Sequence, residues 1–457
     1  MKFLHLADVH LGCRRYNIEE RTRDFFRAWA DMIERHAIET RVDFVLIAGD
    51  FFNSRKVDPQ AMNHAMIGLE KLKSAGIPVV AIEGNHDQRD TTSPHSWLRS
   101  LSQWGLLKLL EPVATEDSPI TLKLWNEAER SGSYIDIAGA RIFGSHWYGA
   151  SASAAIGLLA DSLRATRDEN LFNILMLHMD VEGQTNRPIP ALPIAKLKEL
   201  KELTNYVAFG HTHKRFDLDN WAFNPGSLEA VSIDEYREER GGYLVEVEKE
   251  NGAYRVAAKH VREYVQRPFQ RLSFDVSGAA EPEAVYAGVM DLIEREARKH
   301  TTGSKALPPI IEIGLKGQLG FKNSLLELKK MREEAQQRTD ALHIIIRNQS
   351  VPIEYAIAAG LDTEATRFER ERRIIEDLIA RDTRFRDRAR DMAELVIESK
   401  RLALSSESPD KILELISQKI ADQTKEIAAT ETPDASAGHA PATPTALNAI
   451  ERNAAAS

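Results

Sequence analysis

Cysteine is nearly absent. Cys13 stands alone in 457 residues, which excludes an intramolecular disulfide and any cysteine-ligated metal or iron–sulfur site. Long hydrophobic runs are also missing. No stretch reaches the roughly 18 apolar residues that a spanning helix needs. No leader pattern opens the chain, and Met1–Asp8 already reads as a strand, so the expectation is a cytoplasmic protein. Basic charge is not in excess: 60 Lys and Arg stand against 69 Asp and Glu, a formal net charge of −9. That argues against a surface coated for nucleic acid, but not against a local groove where bound divalent cations meet phosphate. A core is amply provided for, with 43% hydrophobic residues and enough length for more than one domain.

Against this background, six apolar runs end in residues able to bind a metal. They are FLHLADVH (Phe3–His10), FVLIAGD (Phe44–Asp50), VVAIEGNHD (Val79–Asp87), ILMLHMD (Ile174–Asp180), YVAFGHTH (Tyr206–His213) and, more weakly, RIFGSHWYG (Arg141–Gly149). Short apolar runs bounded by turn residues read as buried strands. In open sheets flanked by helices, ligands collect beyond the carboxyl ends of strands. Asp8, His10, Asp50, Asn85, His86, His178, His211 and His213 are therefore expected to converge.

Residues 1–264 alternate strand-like and helix-like stretches. Arg21–Glu39 carries an apolar stripe of Phe25, Phe26, Trp29, Met32 and Ile33, and Asp58–Ser74 is a second helix. A hairpin is expected around Asn251–Gly252. Residues 265–350 form a β-α-β-α-β pattern, the size of an accessory domain. Residues 362–427 read as a helical region: Asp362–Arg401 is dense in both charges, with apolar residues at helical spacing and a break expected near Asp382–Thr383. Ser408-Pro409 opens a further helix as N-cap and first-turn proline. These helices pack either on the protein's own domains or on another protein; periodicity does not choose. Residues 428–457, rich in Ala, Thr and Pro, read as a disordered tail.

The donor set is Asp, Asn and His without Cys, suited to Mn²⁺, Fe²⁺ or Zn²⁺. Asp8 and His10, like His211 and His213, are two apart, so strand alternation is expected to put each pair on one face. The donors are too many for one ion and suit two, with Asp50 as a bridge across about 3.5–4 Å. Adjacent residues do not easily point at one metal, so His86, beside Asn85, is the candidate general acid, and Asp87 is its candidate orienting partner. Each piece alone is weak; a lone His178 is more often a core histidine. The ordered set carries the argument. His5 and His146 are read as core or scaffold, and His64 and His95 as surface residues.

The series ADVH–GD–GNHD–H–GHTH resembles the calcineurin-like metallophosphoesterase superfamily over about Met1–Ser227. Within it the chain is similar to the SbcD/Mre group of DNA repair nucleases, through His10-Leu-Gly, Arg21-x-x-Asp24, Gly49-Asp-Phe-Phe and Asn224-Pro-Gly-Ser. The resemblance implies an α/β fold: a four-layer α/β/β/α sandwich with a small α+β capping domain and C-terminal helices. It implies one metal on Asp8, His10, Asp50 and His213, another on Asp50, Asn85, His178 and His211, and His86 as the catalytic histidine. It further implies two divalent ions, Mn²⁺ or Mg²⁺, and phosphodiester hydrolysis on DNA as double-strand exonuclease and single-strand endonuclease. The implied partners are DNA, a second copy of the chain contacting through helices near residues 58–74 and 93–101, and an SMC-like ATPase resembling SbcC. That ATPase would dock on the helices from about Asp362. One departure stands out: Asn53 occupies a place where some members carry a further histidine.

Arg14, Arg15, Arg55, Lys56, Arg89, Lys214 and Arg215 flank the ligand loops, where a phosphate backbone would lie. Read blandly, they are ordinary surface charges. Two other functions remain open: a phosphoesterase for a small substrate, which has no need of the accessory domain, and a non-catalytic ATPase-binding scaffold, which has no need of the full ligand set.

Overall fold

The computed structural model describes residues 1–116, 118–185, 191–300, 307–351, 366–380, 382, 385–405 and 408–430. These fall into two compact units. The first holds Met1–Gly317 with Ser324–Ser350; the second holds Gln318–Asn323 and the chain from Val351.

The first unit is built on two six-stranded sheets. One comprises β1 (Lys2–Leu6), β2 (Phe44–Ala48), β3 (Val79–Ile82) and β4 (Lys108–Leu109). The other comprises β5 (Tyr134–Ile137), β6 (Ala140–Phe143), β7 (Phe172–His178), β8 (Tyr206–Gly210), β9 (Phe216–Leu218) and β10 (Ala222–Asn224). The chain then returns to the first sheet as β11 (Gly242–Glu250) and β12 (Ala253–Val261), giving the orders β12-β11-β1-β2-β3-β4 and β5-β6-β7-β8-β10-β9. Asn251 and Gly252, both at positive φ, make the tight turn between β11 and β12.

Strand alternation explains why these runs are apolar throughout. Along β2, Phe44, Leu46 and Ala48 face the space between the sheets, while Val45 and Ile47 face the helices outside. Along β7, Ile174 and Met176 face inward, and Leu175 and Leu177 outward. A strand covered on both faces must be apolar at both parities, so its sequence loses the alternating signature. The first outer layer is α1 (Glu19–Ile33) and α2 (Pro59–Ser74), whose Trp29, Met32, Leu69 and Leu72 cover the first sheet, followed in the chain by the short α3 (Trp97–Gln103). The second layer is α4 (Ala152–Thr166) with the short α5 (Ile194–Lys198), whose Ile156, Leu159, Leu163 and Leu197 cover the second sheet. Asp58 caps α2, its carboxylate accepting from the Ala61 N–H at 2.8 Å, and Pro59 follows at the first helical position. One expectation fails here. His64 is not a surface residue: it is 8% exposed, stacked on Phe26 at 4.2 Å on the face where α2 meets α1.

Residues 265–350 form a three-stranded parallel sheet of β13 (Phe269–Asp275), β14 (Ile310–Lys316) and β15 (His343–Asn348), in that order, with α6 (Pro282–His300) and α7 (Leu328–Gln337) as crossovers. This sheet belongs to the same compact unit as the sandwich. The junction is charged and buried. Asp24 on α1 accepts from Arg21 at 2.6 Å and from both Nε and Nη2 of Arg267 at 2.6 Å, and Glu229 accepts the Arg267 backbone N–H at 2.9 Å.

In the second unit, α8 (Arg367–Ile379) opens with a reciprocal capping box between Thr366 and Glu369 and packs on α9 (Ala389–Leu404), which packs on α10 (Pro409–Thr430). The interruption expected near Asp382 falls between Ile379 and Ala389. Of the tail expected to be disordered from residue 428, Ala428–Thr430 belong to α10, and 431–457 lie outside the described residues. No described helix is long and apolar enough to cross a membrane.

Candidate metal centre

Parallel pairing of β1 with β2 and β2 with β3 sets their carboxyl ends side by side, and β7 with β8 does the same in the second sheet. His178, the last residue of β7, and the loops leaving the other four ends supply every ligand-type residue singled out from the sequence. Their side chains form two groups of closely spaced donor atoms: Asp8, His10, Asp50 and His213, and Asp50, His178 and His211. Asp50 belongs to both. Asn85 joins the second, its Oδ1 lying 3.3 Å from His178 Nε2 and 2.9 Å from His211 Nδ1.

The residues are not gathered by strand alternation, contrary to expectation. β1 ends at Leu6 and β8 at Gly210, before the donors begin. Asp8 (φ 51), His10 (φ 50), Asp50 (φ 51), His211 (φ 88) and His213 (φ 57) are all left-handed. Extended backbone would hold residues i and i+2 about 6.7 Å apart along a straight line. Left-handed residues instead curl each loop around a point, at a cost of about 1–3 kcal/mol each. The curl is held by backbone bonds between loops, Asp8 N–H to Gly49 and His10 N–H to Asp50, both at 3.0 Å. Glycine is required where loops close up: a Cβ on Gly49 (φ +88) would lie 2.2 Å from His178 Nδ1, and one on Gly84 would lie 2.1 Å from Asp50 Oδ1.

Imidazole partners decide which nitrogen is offered to an ion. His178 Nδ1–H donates to the Ala48 carbonyl at 2.8 Å, leaving Nε2 as the donor atom. His213 Nδ1–H donates to Glu235 at 3.0 Å, again leaving Nε2. His211 is turned the other way, with Nδ1 toward Asn85 and Nε2 3.5 Å from Asp180. The fit to a divalent cation shows most directly at His10 and His213. Their Nε2 atoms are 2.9 Å apart, with Asp8 and Asp50 oxygens at 3.8 and 3.9 Å, and His10 Nδ1 is buried without a partner among the described residues. Such converging lone pairs and carboxylates are what a cation satisfies.

Residues 1–215 match the family model described as calcineurin-like phosphoesterase. That stretch is therefore similar to calcineurin-like phosphoesterases. The chain is also similar to proteins named DNA double-strand break repair protein Mre11. The one from Archaeoglobus fulgidus is 32% identical over 242 residues, 51% of this chain and 52% of that protein. Those from Methanococcus maripaludis and Aeropyrum pernix are each 30% identical, over 52% and 51% of this chain and 60% and 55% of theirs. The chain thus spans about half the length of the curated relatives it matches. A solved phosphoesterase, YfkN from Bacillus subtilis, aligns over 56% of this chain and 88% of that one at 12% identity, with a TM-score of only 0.36.

Electrostatics of the candidate metal centre follow from burial and crowding. Burial pushes the Asp8 carboxyl up to about 6, although His213 and His178 pull against it. Burial acts on Asp50 in the same sense, but His178, His10 and His86 outweigh it and hold this carboxyl well below the usual range. Burial works against a charge on His178, yet Asp50 and Asp8 prevail and raise it to about 9.

The two catalytic candidates land differently. His86 reaches the centre: its backbone N–H donates to Asp50 at 2.9 Å, and its ring stands edge-on to His10 at 5.2 Å. Asp87 does not orient it. The Asp87 carboxylate accepts backbone N–H groups from Phe51, Phe52 and Gly84 at 2.9–3.1 Å, tying the β2 and β3 loops together. Burial and the nearby Asp50 push Asp87 up to about 7. The neighbour of His86 is instead the Asn53 carbonyl, which accepts from Nδ1 at 2.8 Å, so the residue at the departure from the family pattern contributes through its backbone. A carbonyl carries no side-chain signature, which is why the sequence did not disclose it.

Glu235 and Asp180 were likewise not singled out. Asp180 closes one of the apolar runs and was legible as a polar strand-end residue; Glu235 lies 22 residues past His213 with no local signal. Of the flanking cations, Arg14, Arg15, Arg55, Lys56, Arg89 and Lys214 are exposed. Arg55 donates to Gln88 at 2.8 Å, and Lys56 lies 3.8 Å from Asp90. Arg215 is half-buried and committed to Glu239 at 2.9 Å and the Tyr243 hydroxyl at 3.1 Å.

Proposed function

We propose that the protein is a DNA nuclease that hydrolyses phosphodiesters with two divalent metal ions, Mn²⁺ by preference, as a subunit of a double-strand-break repair complex. The observation that carries this reading is the pair of donor sets sharing Asp50, with His86 beside them. Asp8, His10, Asp50 and His213 would hold one ion, and Asp50, Asn85, His178 and His211 the other. When bound, the ions supply Lewis acidity toward the scissile phosphate and its attacking water.

The chain's own residues do the rest. Ala48 and Glu235 fix the tautomers of His178 and His213, so that ligand atoms are aimed before substrate arrives. With Nδ1–H held by Asn53, His86 in its imidazolium form would present Nε2–H to the leaving oxygen, pass it that proton as the P–O bond breaks and end as the neutral imidazole. Arg14, Arg15, Arg55, Lys56, Arg89 and Lys214 would meet the flanking phosphates. The similarity to proteins named for DNA double-strand break repair supports DNA as substrate. An SMC-like ATPase on α8–α10 and a second copy through α2 and α3 are the partners proposed with it. Phe368, Leu378, Val396, Leu404 and Leu413, apolar and exposed on α8–α10, are what a docking surface requires.

The test is cleavage of labelled single- and double-stranded DNA with Mn²⁺, beside bis-p-nitrophenyl phosphate, for wild type, Asp50→Ala and His86→Asn. Loss of DNA cleavage in both variants, with Mn²⁺ still bound by His86→Asn, is the expected result. Hydrolysis of the small diester without DNA cleavage, even with the ATPase added, assigns a small substrate instead. No hydrolysis of either substrate by the complex leaves a scaffold.

A further inference from the structure

Three of the four residues that would hold the first ion are rooted in the sandwich, on the loops after β1 and β2. The fourth, His213, answers to something else. Its Nδ1–H donates to Glu235 Oε1 at 3.0 Å, and the other oxygen of that carboxylate accepts the Val231 N–H at 2.8 Å. Glu235 is thereby clamped at both oxygens and cannot turn without releasing one partner. It is the last residue of a single 3-10 turn, Ile233–Glu235.

The other two residues of that turn face the capping sheet. Ile233, fully buried, packs with Phe269 of β13 and Ile310 of β14. Asp234 pairs with Arg271 of β13 at 2.5 Å and lies 3.7 Å from Arg347 of β15. Both arginines also hold buried Glu312 of β14, at 2.6 and 2.5 Å, so the pair with Asp234 belongs to a fixed lattice of charge. From the remaining side the Tyr16 hydroxyl accepts the Ile233 N–H at 2.8 Å, while its ring leans on His343 of β15 at 5.4 Å. Three consecutive residues thus carry an apolar anchor in the cap, an ionic anchor in the cap, and the carboxylate that aims His213.

We propose that this turn is a relay: the capping sheet seats the turn, the turn seats Glu235, and Glu235, as a positioning residue, aims His213 at one of the two ions. The inference rests on the two-metal reading above and goes beyond it in making one ion, not both, answer to the cap. The second donor set is independent of the turn, because His178 is aimed by Ala48 at the end of β2 and His211 stands beside Asp180, two residues past β7. A nuclease so built would register the position of its cap, and whatever that cap contacts, as a change in the occupancy of one metal site.

The test is Mn²⁺ titration of the full chain, with free ion read by its electron paramagnetic resonance signal and folding checked by urea midpoint. The variants are Glu235→Ala, Glu235→Gln and the pair Tyr16→Phe with Asp234→Ala. Wild type is expected to take up two ions. Glu235→Ala is expected to weaken one of the two by about 10- to 100-fold, the range for losing a ligand's orienting partner. Glu235→Gln, which keeps one acceptor, is expected to fall between. The cap-side pair is expected to weaken the same ion, and to add nothing when combined with Glu235→Ala. Two ions bound with unchanged affinity in folded Glu235→Ala overturn the relay and leave the two-metal reading standing. Equal weakening of both ions, or additivity of the cap-side pair with Glu235→Ala, also overturns it. A wild type that takes up fewer than two ions overturns both.

Discussion

His10 and His213 are 203 positions apart in the chain, and their Nε2 atoms face each other at 2.9 Å. Since His213 Nδ1–H is committed to Glu235, its Nε2 brings a lone pair to that contact. Without an ion, a single shared proton is what reconciles the two nitrogens. With one, both lone pairs are satisfied along with Asp8 and Asp50.

Mn²⁺ binding is therefore expected to expel protons and to tighten as pH rises from 6 to 8. His178, raised to about 9 by Asp50 and Asp8 against burial, is protonated in the ion-free fold. The stability it contributes is fully present below its unfolded value near 6.5 and is lost as pH rises through about 9, so in that window the ion-free fold weakens as the loaded one gains. Calorimetry in two buffers of different ionisation enthalpy reads the proton release directly. A heat independent of buffer, with one affinity at both pH values, would sink the argument.

Gly49→Ala is expected to disable the second ion site. The new Cβ meets His178 Nδ1 at 2.2 Å, displacing the bond to Ala48, and the residue must keep φ +88. A loss of about 2–4 kcal/mol is expected from overpacking and strain together. Gly76→Ala, at φ +73 with nothing within 4 Å of its Cβ, is the control for strain alone. Equal urea midpoints for the two variants would show that the clash is relieved at no cost.

His5 predicts a pH dependence of the opposite sense. It is fully buried between the Tyr206 hydroxyl at 2.9 Å and the Phe209 carbonyl at 3.1 Å, and burial lowers it to about 3. Its folded value lies below its unfolded one, so its stability contribution is full above about 6.5 and declines as pH falls toward 3. Between pH 6.5 and 5 the decline is about 2 kcal/mol, from about 1.4 kcal/mol per unit. His5→Gln is expected to be less stable at pH 7.5 but to show a flatter acid limb in urea titrations. A limb of unchanged slope would contradict it.

Asp24→Ala is expected to cost about 3–5 kcal/mol, because it leaves buried Arg21 and Arg267 without their shared carboxylate. Glu19→Ala, which removes the exposed partner of Arg23, is expected to cost less than about 1 kcal/mol. Chemical denaturation of both variants compares them; a small loss for Asp24→Ala would mean that water reaches the junction.

The sequence by itself determined the strands and where their polar ends lie. Phe44–Ala48 and Ile174–Leu177 are apolar at both parities because both faces are covered, and such runs need nothing distant to be recognised. Asn251-Gly252 specified its hairpin turn through positive φ, and Asp58-Pro59 its helix start. Composition excluded cysteine-based metal chemistry outright. The order of Asp, Asn and His after these strands carried the family resemblance.

Only the tertiary structure decided how those polar ends are used. The left-handed loops replaced the strand alternation that spacing suggested, because backbone bonds between loops outweigh local preference. His64 proved buried because α2 lies against α1 on the face that carries Phe26. Asp87 went to three backbone N–H groups and Asn53 took its place beside His86, since a carboxylate flanked by unpaired loop amides is drawn to them. Glu235 reached His213 through a turn held by the cap. Each of these depends on groups tens to hundreds of residues away, and local sequence encodes which side chains exist at a point, not which distant backbone will be there to meet them.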